Sequence, residues 1–192
     1  MSVEAVIARI EDIQRGLQPS PPTAAPAQSF ASVMGTTASP AASAASSSSS
    51  SSVVQAAEAE VGQAEQPPGS NDSPRIAEYR SAVAGAGVGP WCAQFVSWCA
   101  KQAGTPLGEA GQGFQSVAAV AAWAQRTGRW QPAGSAPQPG DLIVWGGRHV
   151  GLVESVDPDG SIHTIEGNSS NAVSKRTYGR DGGGASGYVH LG

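Results

Sequence analysis

The sequence predicts an α+β domain, with helices packed on an antiparallel β-meander. Three observations predict it. Helix-period apolar spacing with capping signals dominates up to about residue 126. After Pro137–Gly140 the pattern changes to short runs rich in Val and Ile. Between two of those runs, Asp157-Pro158-Asp159-Gly160 reads as a tight turn, with Pro second and Gly fourth. Helices and strands segregated along a chain in this way pack as helices against an antiparallel sheet.

Before that domain lie two other segments. Residues 1–17 carry Val3, Val6, Ile7, Ile10, Ile13 and Leu17 at helical spacing, with charges on the opposite face and Gly16 and Pro19 as stop signals. A single amphipathic helix is marginal alone and needs something to dock on. Residues 18–52 are rich in Pro, Ala and Ser and end in the serine run Ser46–Ser52. Such a stretch has too few large apolar side chains to offset the entropy of ordering, and reads as a disordered linker. Residues 53–192 hold all five tryptophans and both cysteines, and are long enough to bury a core.

Within 53–192 the elements follow in order. A first helix is expected near 54–66, ended by Pro67-Pro68-Gly69. Ser73 and Pro74 suit the cap and first position of a second helix, through about Val83. The loop Gly85–Gly89 leads to a third, with Gly89 as cap, Pro90 at the first position and Cys92 in the first turn. Only Gln94, Ser97 and Lys101 form a polar stripe on it, so it belongs in the core. A fourth helix spans about 116–126. Strands are expected at 141–145, 148–156, 161–166, 173–178 and 187–191.

Composition excludes several classes. The net charge of −4 is spread without a basic stripe, so no nucleic acid is expected as a partner. The longest apolar run of the domain, Val117–Ala124, is too short to span a membrane. Glu4, Arg9, Glu11 and Asp12 interrupt any signal-peptide core, so action outside the cytoplasm implies a route other than the general secretory one. Cys92 and Cys99 lie about 10 Å apart along one helix, beyond the ~7 Å a disulfide spans. No metal or cofactor is expected.

Two features carry chemistry. A cysteine at a helix start meets unpaired backbone N–H groups and the positive end of the helix dipole, a setting that favours thiolate over thiol. Taken alone, a cysteine is more often a small core hydrophobe. The Asp157–Gly160 hairpin then places His149 opposite residues 166–168, which read Glu166-Gly167-Asn168. Glu166 and Asn168 share a strand face, and one parity of the register puts His149 on it too. Opposed Cβ atoms are about 5 Å apart, so a carboxylate or amide there can orient an imidazole. Thiolate, base and orienting group are what cysteine nucleophilic catalysis needs. The hairpin argument does not dock Cys92 against the other three.

Four blocks resemble a known family: Trp91-Cys92-Ala93-Gln94-Phe95-Val96-Ser97-Trp98, Pro139-Gly140-Asp141-Leu142-Ile143, His149-Val150-Gly151-Leu152-Val153 and Ile165-Glu166-Gly167-Asn168. Their order and spacing are similar to CHAP domains, the cysteine- and histidine-dependent amidohydrolases/peptidases, over about residues 54–192. The resemblance implies a papain-like fold and peptidoglycan as substrate, cut either between muramic acid and L-alanine or within the stem or cross-bridge. It implies Cys92 as nucleophile, His149 as base then acid, Glu166 orienting His149, and Asn168 as a further polar member. The oxyanion donor is the Cys92 N–H; Gln94 and Tyr79 are the guesses for a second. Some relatives bind calcium near the domain start, but Gly69–Ser73 offers only the carboxylate of Asp72, so no metal is expected.

Other residues read as structural. His163 and His190 sit on strands without an evident partner, Cys99 belongs to the core, and Trp98, Trp123 and Trp145 read as packing. Trp91 is expected at a cleft wall, and Arg148 is open between a solvated charge and a contact to an acidic stem peptide. The opening residues 1–14 are similar to the start of proteins of bacterial flagellar assembly, and phage endolysins also lack a signal peptide. Both suggest action at the cell wall after export by a dedicated route, with the N-terminal helix binding a protein partner. The alternative is a non-catalytic adaptor of a wall-associated assembly; intact Cys92, His149, Glu166 and Asn168 argue against it.

Overall fold

The central strands carry apolar side chains on both sides, as in Leu142-Ile143-Val144-Trp145, so each face of the sheet needs a cover, and that is what forms. The structure, a computed structural model, describes residues 50–192; the helix expected over 1–17 and residues 18–49 of the linker lie outside them. The described part falls within one compact unit. Its helices are α1 (residues 50–58), α2 (Pro74–Ser81), α3 (Cys92–Gln102) and α4 (Val117–Arg126). Six strands follow: β1 (Trp130–Pro132), β2 (Leu142–Trp145), β3 (His149–Val156), β4 (Ile162–Ser169), β5 (Ala172–Tyr178) and β6 (Gly187–Val189). They form one antiparallel sheet in the order β1-β6-β2-β3-β4-β5. The α+β class is as expected; the short edge strand β1 was not foreseen.

Local chemistry accounts for most helix ends. Ser73 caps α2 by accepting the Ile76 N–H, with Pro74 in the first turn. Ser116 caps α4 by accepting the Ala119 N–H. α3 differs from expectation: its N-cap is Trp91, not Gly89, so Cys92 opens the helix and Pro90 stands before it. No side chain caps α3, which leaves its first amides available to an anion. α1 ends well short of residue 66. Gly62 turns the chain at φ +94°, and residues 62–65 then run beside β5 through Gly62 N–H to Val173 O, Val173 N–H to Gln63 O and Glu65 N–H to Asn171 O. Satisfying that strand edge wins over continuing the helix. α1 also begins within the stretch read as linker, and Ser50 Oγ donates to the Gly192 carbonyl.

The sheet buries both faces. Leu142, Val144, Val150, Leu152, Ile165, Val173 and Val189 join Phe95, Val96, Cys99 and Ala100 of α3 in the main core. Ile143, Trp145, Val153, Ile162 and Tyr188 point the other way and pack with Ala185 of the loop before β6. Buried Glu60, in the turn after α1, holds α2 by accepting from Tyr79 Oη at 2.6 Å and pairing with Arg75, whose guanidinium lies over the Trp98 ring. Cys99 is fully buried, and burial, with the Glu60 charge, pushes its thiol pKa well up.

One contact sets where α3 meets the sheet. A Cβ on Gly167 would lie 2.5 Å from the Phe95 Cβ, so only glycine lets the β4 backbone touch the helix there. Glu166 is thereby held close to the opening turn of α3.

Candidate active site

His149 opens β3 and pairs with Trp145 across the short β2–β3 hairpin. Near the Asp157–Gly160 turn the β3–β4 register runs Ser155 with His163; a bulge between Val153 and Ser155 changes it to Val153 with Thr164 and Leu152 with Ile165. That bulge selects the parity in which His149, Gly151 and Glu166 share a face. His149 Nε2 donates to Glu166 Oε2 at 2.9 Å. Cys92 acts on the same imidazole and raises its pKa, which sets the first residue of α3 beside the strand pair.

Glu166 is buried at 2% side-chain exposure, so its charge needs full compensation. Thr164 Oγ1 and Tyr178 Oη donate to Oε1 at 2.7 and 2.9 Å, leaving Oε2 for the histidine. Burial raises this carboxyl's pKa, but the bonds from His149, Thr164 and Tyr178 outweigh it and hold the group below the usual range. Burial alone would lower the His149 pKa; hydrogen bonds to Cys92 and Glu166 and their negative charge raise it to about 9. Tyr178, pushed up to about 12 by burial and by Glu166, remains a donor. The Trp145 ring stacks on the imidazole at 5.5 Å and 28° and touches Tyr178 at 5.1 Å, while its indole N–H donates to the Gly182 carbonyl.

The structure thus sets Cys92 and Glu166 beside His149. The β4–β5 register shifts between Glu166 and Ser169, Asn168 adopts φ +57°, and its Nδ2 donates to Asn71 Oδ1 at 3.1 Å. Strand parity therefore fails two residues beyond Glu166. Trp91, expected at a cleft wall, is fully buried, with its indole N–H on Glu65 Oε1. Tyr79 donates to Glu60 in the core, which withdraws it as an oxyanion donor, and Gln94 Nε2 donates to the Gly87 carbonyl. His163 and His190 do have partners, Asp157 and Asp141. Asp72 pairs with Arg80 and accepts the Ser73 N–H. Among the described residues no cluster of His, Cys, Asp and Glu is placed to hold a metal.

A cleft of about 580 Å³ opens at Cys92. Pro90, Val117 and Ala119 supply its apolar wall, and Gln115, Ser116, Gly147 and Arg148 its polar one. Thr164 and Tyr178 went unnoticed in the sequence. Thr164 sits two residues before Glu166 on the same face, a signal that strand parity does provide.

Helices on an antiparallel sheet thus set a cysteine at a helix start beside a carboxylate-held histidine. Residues 84–168 match the model of the CHAP domain family, so that segment is similar to CHAP domains. No curated protein matches the chain. A solved structure described as "The crystal structure of Ly7917 with the hydrolyzing product of MDP" aligns at a TM-score of 0.39 and 20% identity, over 73% of this chain and 62% of that one. This chain therefore spans less than two thirds of that chain's length.

Proposed function

We propose that the protein is a peptidoglycan hydrolase that cuts an amide bond through a Cys92 thioester. The observation that carries this reading is the His149–Glu166 pair set beside Cys92, which itself lines a cleft. Cys92 Sγ attacks the amide carbonyl carbon, and the carbonyl oxygen gains the negative charge. The Cys92 backbone N–H at the uncapped start of α3 is the donor in reach of that oxygen. The His149 imidazolium protonates the departing nitrogen as the C–N bond breaks, leaving an acyl thioester. Neutral His149 then takes a proton from water, which attacks the thioester and releases the acid and Cys92. Glu166 holds the imidazole in the tautomer and orientation that these transfers require.

An imidazole held near pKa 9 is charged at neutral pH and can act first as acid. The match to the CHAP family supports peptidoglycan as the substrate class. The cleavage site is open to two assignments, the muramoyl–L-alanine bond and a bond within the stem or cross-bridge. Mass spectrometry of muropeptides after digestion of purified sacculi separates them, because only the first frees stem peptides from the glycan.

Action at the wall after export through a dedicated apparatus, with residues 1–17 binding a partner and 18–49 as tether, completes the proposal. Recovery of the protein in flagellar basal-body preparations would support the flagellar assignment, and its absence from them would turn attention to phage lysis.

A further inference from the structure

We propose that Arg148 makes the cleft selective for peptides that carry a free carboxylate beside the amide being cut; this rests on the hydrolase reading above. Arg148 lines the same cleft as Cys92 and directly precedes His149 in the chain. It is the only charged side chain lining that cleft among the described residues, and no carboxylate lines it. An anionic group entering beside Cys92 therefore meets a cation with no competing counter-ion.

Arg148 also differs from the other arginines among the described residues. Arg75, Arg80, Arg126, Arg129, Arg176 and Arg180 each hold a carboxylate, hydroxyl or carbonyl partner. No hydrogen bond or ion pair engages the Arg148 side chain among the described residues. Its mount, in contrast, is fixed. The Arg148 N–H donates to the Trp145 carbonyl at 3.1 Å, closing the β2–β3 turn. Gly146 N–H donates to Ser186 Oγ at 3.0 Å, and Ser186 Oγ donates onward to Val144 O. A guanidinium on a pinned turn loses less freedom on binding than one on a loose loop. Its planar fork suits a carboxylate in two-point contact.

The ligand chemistry follows. In a peptide stem the carboxylate nearest an N-terminal amide is the α-carboxylate of a γ-linked glutamate, and amidation of that group removes its charge. The free acid should be accepted and the amide disfavoured, with the difference appearing in binding and shrinking as salt is added.

Binding is best read in the Cys92→Ala protein, which retains the cleft without turnover. The probes are a muropeptide with the glutamate α-carboxylate free and the same molecule amidated, titrated by calorimetry. We expect the free acid to bind about tenfold more tightly. Adding Arg148→Ala should bring the two affinities together, and Arg148→Lys should keep part of the preference. Circular dichroism checks that each variant is folded, and Arg148→Gln stands in for Arg148→Ala if that variant is not. Equal affinities with Arg148 present, or a preference that survives its removal, would overturn the assignment. A preserved preference in a protein that fails to cut walls would instead sink the hydrolase reading and leave Arg148 as an anion-selective binding residue.

Discussion

Tyr178 donates its hydroxyl to Glu166 Oε1 at 2.9 Å, on the oxygen that His149 does not use. With Thr164 on the same atom, the carboxylate is gripped at one end and offers only the other to the imidazole. Removing the Tyr178 hydroxyl while keeping its ring against Trp145 tests that grip. Tyr178→Phe should lower kcat/KM about fivefold through the loss of one hydrogen bond to a charged group. Because that bond helps hold the Glu166 pKa down, the acid limb of the pH–rate profile should also move to higher pH. An unchanged profile would reduce Tyr178 to packing.

Gly151 faces the same carboxylate across the β3–β4 pair. A Cβ there would sit 2.8 Å from Glu166 Cγ and 3.4 Å from Ile143 Cγ2. Gly151→Ala should displace Glu166 from His149 and lower kcat about ten- to a hundredfold. Overpacking should cost about 1–3 kcal/mol of stability, measured by urea denaturation. Wild-type kcat in a folded Gly151→Ala protein would show that the Glu166–His149 contact is not needed for turnover.

The two cysteines should separate cleanly under alkylation. Cys92 lines the cleft and contacts His149, whereas Cys99 is fully buried with its thiol pKa pushed up by burial. Iodoacetamide should therefore modify the native protein once, on Cys92, as read by peptide mass spectrometry, and abolish activity in step. Modification of Cys99 at a comparable rate would contradict this placement.

The pH dependence has opposite signs at the two ends of the site. His149 is raised from an ordinary 6.5 to about 9. Its contribution to stability is fully present below about 6.5 and is lost as pH rises through about 9. Glu166 is lowered, so its contribution is present above its ordinary 4.5 and is lost as pH falls through its folded value. Thermal midpoints should decline from pH 6.5 to above 9, and kcat/KM should fall on the alkaline side as the imidazolium is lost. In His149→Ala, the part of the alkaline decline in thermal midpoint due to this residue should disappear. A decline that remains unchanged would assign it to other groups.

Much of the site could be read from residue order and parity. The Asp157–Gly160 turn placed His149 near Glu166, and the helix start marked Cys92. The choice of parity could not be read, because it depends on the bulge between Val153 and Ser155, which leaves no local signature. Past Glu166 the β4–β5 register shifts and Asn168 bonds Asn71, a contact that strand alternation does not foretell. Trp91 was misplaced because helical position does not say which neighbours cover it; Tyr79, Phe95 and Glu65 do. The end of α1 was overruled by a distant strand edge, whose unpaired β5 groups are met by residues 62–65.

The most direct test counts amide bonds opened in purified sacculi, as new amino groups over time, for the wild type and for Cys92→Ala. The account predicts steady release by the wild type and none above background by a folded Cys92→Ala protein, with His149→Ala equally silent. Undiminished release by Cys92→Ala would contradict the thioester mechanism at its centre.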